Sequence, residues 1–334
     1  MKRPGTLLLI AFFTISFLSL HRESLAAPYY EGKVMRIIVG YQVGGGYDRM
    51  ARILAKHLSK YIPGKPVIIV ENMIGASSMI ATNYLYNVAK PDGLTIGTFD
   101  RNIPFTQLLK MDGVKFDVTK FAWIGSAASE TFLLTMRSDL PFKTVDDLRK
   151  AKEPINLAGG AAGASDTTFP TLLKEFAGFN FNIINYDSSA SEMLAIERKE
   201  ADGRAGSYSS LKPYIASGLL RPVVRCRVSE PGVENLPVNE DLTTSKMGKT
   251  IMALMGSADY IGRPYVAPPK TPADIMTIIR SAFAKVAQDP QLKEDTKKLM
   301  MSMNYTSAEE TLKVLNYVMS QPDAVIKEFG KYIK

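Results

Sequence analysis

The chain has 334 residues, of which 41 are Lys or Arg and 33 are Asp or Glu, so its formal net charge is +8 at pH 7. Its single cysteine, Cys226, excludes an intrachain disulfide, and the basic residues are spread out rather than clustered with aromatic residues, which argues against nucleic-acid binding. The length favours two lobes over one simple core.

The first 26 residues have the pattern of a cleaved export signal. Lys2 and Arg3 precede an apolar stretch at residues 6–20, and the small-residue pattern Ser-Leu-Ala follows at residues 24–26. The apolar stretch is about 15 residues long, whereas a membrane helix needs about 20, so cleavage near Ala26 is favoured over a retained anchor. We therefore expect a periplasmic protein.

The segment after the signal opens with a strand, a glycine loop and a helix. Residues 34–40 are apolar and β-branched, which predicts a buried strand, and three consecutive glycines follow at 44–46. Asp48 can then cap a helix that places Leu54 and His57 on one apolar face. Because a helix N-terminus presents unpaired N–H groups and a partial positive charge, this loop is a candidate anion site.

The same arrangement recurs three times along the chain. In each case a strand ends in small polar residues that open a helix: strand 67–71 with Gly75 and Ser77 or Ser78, strand 155–158 with Gly163 and residues 165–168, and a strand ending at Tyr186 with Ser188 or Ser189. Ligands of open parallel sheets bind outside the carboxyl ends of the strands, where such helix openings point. Four openings in two halves of the chain therefore suggest one anion held from two sides.

Two stretches of small residues divide the chain into lobes. The first, at 126–130, separates two short strands, and the second lies within residues 252–272, after a predicted surface loop at 231–249. Three helical patterns follow residue 271 and are expected to pack on the first lobe. The predicted organisation is a first lobe of residues 28–130, a second lobe of residues 131–257 and a return to the first lobe at 258–334, with the ligand in the cleft between them.

The catalytic chemistry that could make this chain an enzyme is mostly missing. Once the signal is removed, His57 is the only histidine, and its place on the apolar face of a helix favours a core residue over a catalytic one. No Ser-His-Asp triad or His-based metal site can form without it. A dinucleotide-dependent enzyme is a distant alternative, because Gly44 and Gly46 begin a GxGxxG pattern whose last glycine is replaced by Arg49. We expect no catalytic residue, no metal and no cofactor.

Several blocks in order resemble the Bug family of periplasmic solute receptors of tripartite tricarboxylate transporters. They are GGGYD with the following AR and LAKHL, PGKPVIIVENMIGA, NYLYNVAKPDGLTIGT, the loop GASDTTFP, ADGR and YVAPPKTPADI. The resemblance covers residues 33–330. It implies an α/β fold of the type II periplasmic binding class, with two lobes, two crossings and a ligand cleft. It also implies that backbone amides, hydroxyls and ordered waters at the strand ends hold the ligand carboxylate.

The resemblance also assigns ligand-binding positions one by one. The expected contacts come from the strand-end loops of both lobes, at Tyr41, Gln42, Val43, Gly44, Gly45, Gly75, Ala76, Ser77, Thr98, Gly160, Gly163, Ser165, Asp166, Tyr186, Arg204, Ala205 and Gly206. Gln42 and Val43 replace the prolines usual in the family, and Asp166 replaces a histidine. Arg204 is the one cation expected near the cleft, either on the ligand or paired with a neighbouring acid.

The function that this resemblance implies is receptor binding of a small mono- or dicarboxylate. Tyr41, Tyr47, Phe99 and Tyr186 would also allow an aromatic acid. The receptor is expected to be a monomer that delivers its ligand to integral membrane permease subunits. The alternative is a periplasmic sensor subunit that presents the same ligand to a signalling kinase.

Overall fold

A computed structural model describes residues 27–301 and 303–333, so the export signal predicted at residues 1–26 lies outside the described residues. The strands in chain order are β1 (Val34–Val39), β2 (Val67–Asn72), β3 (Thr95–Thr98), β4 (Ala122–Ser126), β5 (Phe132–Arg137), β6 (Ile155–Gly159), β7 (Phe181–Asn185), β8 (Gly203–Ser207), β9 (Leu220–Arg225), β10 (Pro264–Ala267) and β11 (Thr306–Ser307).

Helices connect most of these strands. In chain order they are α1 (Gly46–Leu58), α2 (Met79–Asn87), α3 (Ile103–Leu108), α4 (Val145–Arg149), α5 (Ser165–Ala177), α6 (Ser189–Glu197), α7 (Tyr208–Ala216), α8 (Lys246–Ile261), α9 (Ala273–Val286), α10 (Pro290–Lys298), α11 (Ala308–Met319) and α12 (Asp323–Phe329). None of the helices in residues 27–301 and 303–333 is long and apolar enough to span a bilayer.

The strands form two mixed sheets. The first has six strands in the order β11-β4-β10-β3-β1-β2, and the second has five in the order β7-β6-β8-β5-β9. The strand–glycine–helix units supply parallel pairs, β1 with β2 and β3, and β6 with β7 and β8. The strands that flank the crossings, β4, β5 and β10, run antiparallel to their neighbours. The predicted α/β fold with two lobes is confirmed.

Each sheet is covered by helices on both faces. Leu54 and Phe283, from α1 and α9, are fully buried on one face of the first sheet, while Leu85 and Trp123 belong to a separate core on the other. In the second lobe, the main core collects residues of β6, β7, α5 and α8. The same core includes side chains of α3 and of the C-terminal helix α12, so both helices are anchored against the second lobe.

The prediction for residues 231–272 was wrong in its middle part. The sequence predicted a loop followed by a small-residue interruption, whereas α8 is a continuous helix of 16 residues. The Ser245 hydroxyl accepts a hydrogen bond from the Gly248 N–H at 3.1 Å and starts the helix. Gly256 and Ala258 are buried within α8, so these small residues serve close helix packing rather than a break. The lobe boundary that we propose at residue 257 falls inside this helix.

His57 is buried, as its place on the apolar face predicted. Its side chain is 2% exposed, and its Nε2 lies 2.8 Å from an Asp295 carboxylate oxygen on α10. The Asp295 carboxylate also pairs with Lys56 at 2.7 Å. His57 therefore helps to join α1 to α10 at the end of α1 opposite to the glycine loop.

Candidate ligand-binding site

The glycine loop after β1 is held by Asp48. Its carboxylate accepts hydrogen bonds from the Gly44 N–H at 2.8 Å and from Asn72 at 2.9 Å, and it pairs with Arg52 at 2.9 Å. Gly44 has a φ of +87°, a conformation that glycine adopts without a steric penalty. Asp48 lies in the first turn of α1, as predicted, but the N-cap is Gly45, which makes no side-chain cap bond, and Asp48 instead accepts from Gly44.

The loop after β2 has an unusual backbone. Four consecutive residues have positive φ, with values of +135°, +45°, +50° and +75° at Gly75, Ala76, Ser77 and Ser78. The left-handed conformation costs roughly 1–2 kcal/mol at each non-glycine residue, and such strain tends to concentrate at functional sites. The Ser78 hydroxyl contacts both the Gly40 carbonyl and the Asp100 N–H at 3.2 Å. The ends of β1, β2 and β3 are thereby tied together.

The facing loop of the second lobe follows β6 and opens α5. Asp166 lies in the first turn of α5, and its carboxylate accepts a hydrogen bond from the Gly160 N–H at 3.2 Å. A negative charge is favourable at a helix N-terminus. Asp166 therefore stabilises this loop, in addition to bringing a negative charge to the cleft.

The sequence left two alternatives for Arg204, which were contact with the ligand or an ion pair with a neighbouring acid. The structure shows the ion pair. Its guanidinium lies 2.8 Å from the Glu192 carboxylate and 4.0 Å from that of Asp166. Burial has the largest effect on the pKa of Glu192 and raises it. The charge of Arg204 lowers this pKa, and the charge of Asp166 raises it further. The remaining predicted residues of β8, Ala205 and Gly206, pair with β5 in the middle of the second sheet. Contact of all three with a ligand stays a prediction.

Two further predicted residues lie at strand ends. Thr98 ends β3 and is 1% exposed, and its hydroxyl has no hydrogen-bond partner among the described residues. Tyr186 follows β7 directly and is half-buried. Both positions agree with the rule that placed them at the carboxyl ends of strands, and their role in ligand contact stays a prediction.

The two lobes meet through direct hydrogen bonds. Ser165 donates from its hydroxyl to the Asp100 carboxylate at 3.1 Å, and the Asn102 side-chain amide donates to the Gly163 carbonyl at 3.4 Å. At the rim, the Gln42 side chain donates to the Asp187 carbonyl at 3.4 Å. These contacts bring together loops that lie far apart in sequence, so the structure shows the lobes in a closed arrangement.

A stacked tyrosine pair lies behind these contacts. The rings of Tyr41 and Tyr47 are parallel within 9°, with centroids 5.0 Å apart. The Tyr41 hydroxyl donates to the Asp100 carboxylate, and the Tyr47 hydroxyl accepts from the Arg101 N–H at 3.0 Å. Burial is the main cause that raises the pKa of both phenols and of the Asp100 carboxyl. The pair connects the first lobe's glycine loop to the loop after β3.

A buried ion network lies at the crossings between the lobes. Arg101 pairs with Asp259 at 2.8 Å and donates to the Ser207 hydroxyl of the second lobe at 3.0 Å. Arg263 pairs with Glu130 at 2.6 Å. All four charged side chains are at most 3% exposed. Buried charges are stable only when they are paired, so this network fixes how the crossings are arranged.

The opening of α1 carries positive charge. A methyl group on Gly46 would lie 2.6 Å from the Arg263 guanidinium and 2.4 Å from the Ser210 hydroxyl of the second lobe. Burial and, next, the charge of Arg263 lower the pKa of Arg49, the third residue after Gly46. One nitrogen of each arginine, Arg49 Nε and Arg263 Nη1, has no hydrogen-bond partner among the described residues. This end of the cleft is suited to an anion.

Sequence reasoning missed several residues at this interface. Asp100 and Asn102 follow β3 directly, so the strand-end rule could have selected them together with Thr98. No local pattern points to Glu130, Asp259 or Arg263, because they come together only when the two crossings are arranged in space.

Other sites are not apparent in the part of the chain that the structure describes. Within residues 27–301 and 303–333, no three His, Cys, Asp or Glu side chains are grouped as a metal site would require. Two surface hollows lie away from the cleft, one beside Tyr61 and Lys285 and the other beside Arg36 and Tyr84.

Comparisons with known proteins agree with this architecture. The sequence profile described as "Tripartite tricarboxylate transporter family receptor" matches residues 50–331. A Cupriavidus necator protein, named as the UPF0065 protein in the gbd 5' region, is 27% identical over 312 residues, covering 91% of this chain and 90% of that protein.

Solved structures show the same fold. The periplasmic binding protein BugD superposes with a TM-score of 0.72 at 21% identity, covering 91% of this chain and 98% of BugD. An R. palustris protein solved with adipate also gives a TM-score of 0.72, at 18% identity, covering 90% of this chain and 98% of that one. Because the family profile extends over most of the sequence, as the resemblance predicted, this chain belongs to the family of tripartite tricarboxylate transporter receptors, which are periplasmic receptors and not a class of enzyme.

Proposed function

We propose that this protein binds a small organic carboxylate between its two lobes and delivers it to the membrane permease components of a tripartite tricarboxylate transporter. The observation that carries the proposal is the interface between the lobes, where the opening of α5 meets the loop after β3 and the opening of α1 faces Ser210 of the second lobe. The N–H groups at these openings and the hydroxyls beside them are suited to a carboxylate. A structural neighbour was solved with adipate, which supports a small organic carboxylate as the class of ligand.

The ligand contacts that we propose are the strand-end residues assigned by the resemblance. In the first lobe they are residues 41–45, 75–77 and Thr98, and in the second lobe they are Gly160, Gly163, Ser165, Asp166, Tyr186 and residues 204–206. We also propose that the protein is exported, with cleavage near Ala26, and that it acts as a monomer.

A thermal-shift screen of the protein from residue 27 onward tests this proposal. A ligand that binds only the folded state stabilises by about 2.7 kcal/mol at 100 times its dissociation constant. We therefore expect at least one aliphatic or aromatic mono- or dicarboxylate, or one amino-substituted acid, to raise the melting temperature by about 4 °C.

The matched controls are the methyl esters of the same acids, which keep the carbon chain and lose the charge. They should leave the melting temperature unchanged. Equal shifts with acid and ester, or no shift with any acid, would contradict carboxylate recognition.

A further inference from the structure

The cleft contains a buried carboxylate that has no ion-pair partner. Asp100 is 4% exposed, and its oxygens accept hydrogen bonds from the Tyr41 hydroxyl, from the Asn102 N–H at 2.7 Å and from the Ser165 hydroxyl at 3.1 Å. The ion pairs of the described residues do not include it. Buried carboxylates are normally paired with a cation, whereas no cation of the described residues lies within ion-pair distance of Asp100.

Asn102, two residues after Asp100, indicates independently which kind of hydrogen-bonding group suits the site beside Asp100. Its side-chain nitrogen donates to the Gly163 carbonyl at 3.4 Å, which fixes the orientation of the amide because a carbonyl can only accept. The oxygen of the same amide has no hydrogen-bond partner among the described residues, although Asn102 is 1% exposed. Buried polar atoms are rarely left unsatisfied, so this acceptor is suited to an N–H or O–H donor.

Arg204 cannot serve a second carboxylate at this end. Arg204 lies 2.8 Å from Glu192 and 4.0 Å from Asp166, so its charge is already balanced by acids of the second lobe. The negative charge of Asp166 also acts on Asp100 and Tyr41. A dicarboxylate that placed its far end here would add a negative charge beside Asp100 and Asp166.

The other end of the cleft offers a buried hydrogen-bond donor instead of an acceptor. Arg263 Nη1 has no hydrogen-bond partner among the described residues, and the Arg263 side chain is 1% exposed. Its guanidinium lies 5.3 Å from the centre of the Tyr47 ring, while Tyr41, stacked on Tyr47, binds Asp100. One stacked ring pair therefore separates Asp100 from Arg263, which pairs with Glu130 at 2.6 Å and still has Nη1 available as a donor among the described residues.

We propose that Asp100 and Asn102 select a carboxylate whose far end carries an ammonium or other N–H group, with the ligand carboxylate directed toward Arg263 and the opening of α1. The proposal rests on the proposed function and narrows the class of ligand. Asp100 is the specificity-determining residue, because an ammonium supplies both the missing counter-charge and donors for the Asn102 oxygen.

Calorimetric titration of matched acids tests this proposal. The first set shares a chain of four carbons, counted from the carboxylate carbon, and differs only in the group at the far end. Its members are butyrate, glutarate and 4-aminobutyrate. Corresponding sets with chains one and two carbons shorter and longer allow for the span of the cleft. At the best length, we expect the amino acid to bind at least about 10-fold more tightly than the matched dicarboxylate, a difference of about 1.4 kcal/mol.

The variant Asp100→Asn keeps the size of the side chain and removes its charge. We expect it to reduce the preference for the amino acid over the dicarboxylate at least about 10-fold. Asp100 also accepts the hydrogen bond from Ser165 across the lobes, so the measured quantity is the ratio of the two affinities within each protein and not either affinity alone. Asp146→Asn is the control for loss of one negative charge, because the Asp146 side chain is 74% exposed on α4. It should leave the preference unchanged.

The outcomes separate this inference from the proposed function. A dicarboxylate that binds the wild-type protein as tightly as the amino acid would overturn the inference while carboxylate recognition stands. The wild-type comparison decides this point even if Asp100→Asn fails to fold. Failure of every acid in the set, amino-substituted or not, would overturn the proposed function together with the inference.

Discussion

Arg101→Met is expected to lower the free energy of unfolding by about 3–5 kcal/mol, because it breaks a buried ion pair by removing one partner. Arg101 lies 2.8 Å from Asp259, and both side chains are at most 3% exposed. Its guanidinium also donates to the Ser207 hydroxyl and to the Glu130 carbonyl, each at 3.0 Å. Methionine keeps much of the length and none of these interactions.

The cost of this substitution should depend on pH. Burial raises the pKa of Asp259 to about 6 even while Arg101 opposes the rise. Without Arg101 the pKa of Asp259 should rise further. Between about pH 4 and this raised pKa, the Asp259 carboxyl is then protonated in the folded variant and ionised in the unfolded chain. Stability in that window falls as pH increases, and the variant should therefore be weakest above it.

Urea unfolding at pH 5 and pH 8 measures both effects. Lys298→Met is the control, because Lys298 pairs with Glu294 at 2.8 Å while both side chains are 65% exposed. An exposed pair of this kind contributes about 0–1 kcal/mol. A loss below about 1 kcal/mol for Arg101→Met, or a cost that does not increase with pH, would contradict the account of the crossings.

Gly46→Ala is expected to weaken ligand binding about 10- to 100-fold by keeping the lobes apart. The added methyl would lie 2.4 Å from the Ser210 hydroxyl of the second lobe and 2.6 Å from the Arg263 guanidinium at the crossing. Arg263 is held by Glu130 at 2.6 Å and by the Ser209 hydroxyl at 2.9 Å, so it cannot easily yield. Overpacking costs about 1–3 kcal/mol, which corresponds to this loss of affinity.

Calorimetry with a ligand found by thermal shift, and small-angle scattering with and without it, test the prediction. The ligand-bound variant should keep a larger radius of gyration than the ligand-bound wild-type protein. Gly256→Ala is the matched control, because its methyl would meet nothing closer than 3.7 Å. Wild-type affinity in Gly46→Ala would show that the contact between α1 and α7 does not limit closure.

The parts of the fold that could be predicted are those with a local signal. The strand at 155–158, the helix opening near residue 165 and the Ser188 cap agree with β6, α5 and α6 within a residue or so. Apolar strand residues, a glycine turn and a hydroxyl cap lie next to each other in sequence, so each unit can be recognised by itself. The helix α8 could not be recognised from its own sequence, because its glycines and serines also suit a loop. Only packing partners elsewhere in the chain favour the helix.

The chemistry of the cleft depended on contacts between distant residues. Asp100 and Ser165 meet across the lobes although 65 residues separate them. The sequence left Arg204 open between ligand and salt bridge, and the deciding partner, Glu192, becomes apparent only when α6 packs beside β8. Strand-end position therefore predicts which loops meet at the interface between the lobes, while the charges brought together there depend on tertiary structure.

Native mass spectrometry of protein purified without refolding tests carboxylate recognition most directly. We expect a bound species whose extra mass equals that of one small organic acid, and which is lost when the protein is denatured. An extra mass that matches an amino-substituted carboxylate would also agree with the unpaired Asp100. Protein that carries no such mass, and gains none after incubation with the acids used in the thermal-shift screen, would contradict the assignment of the cleft as a carboxylate site.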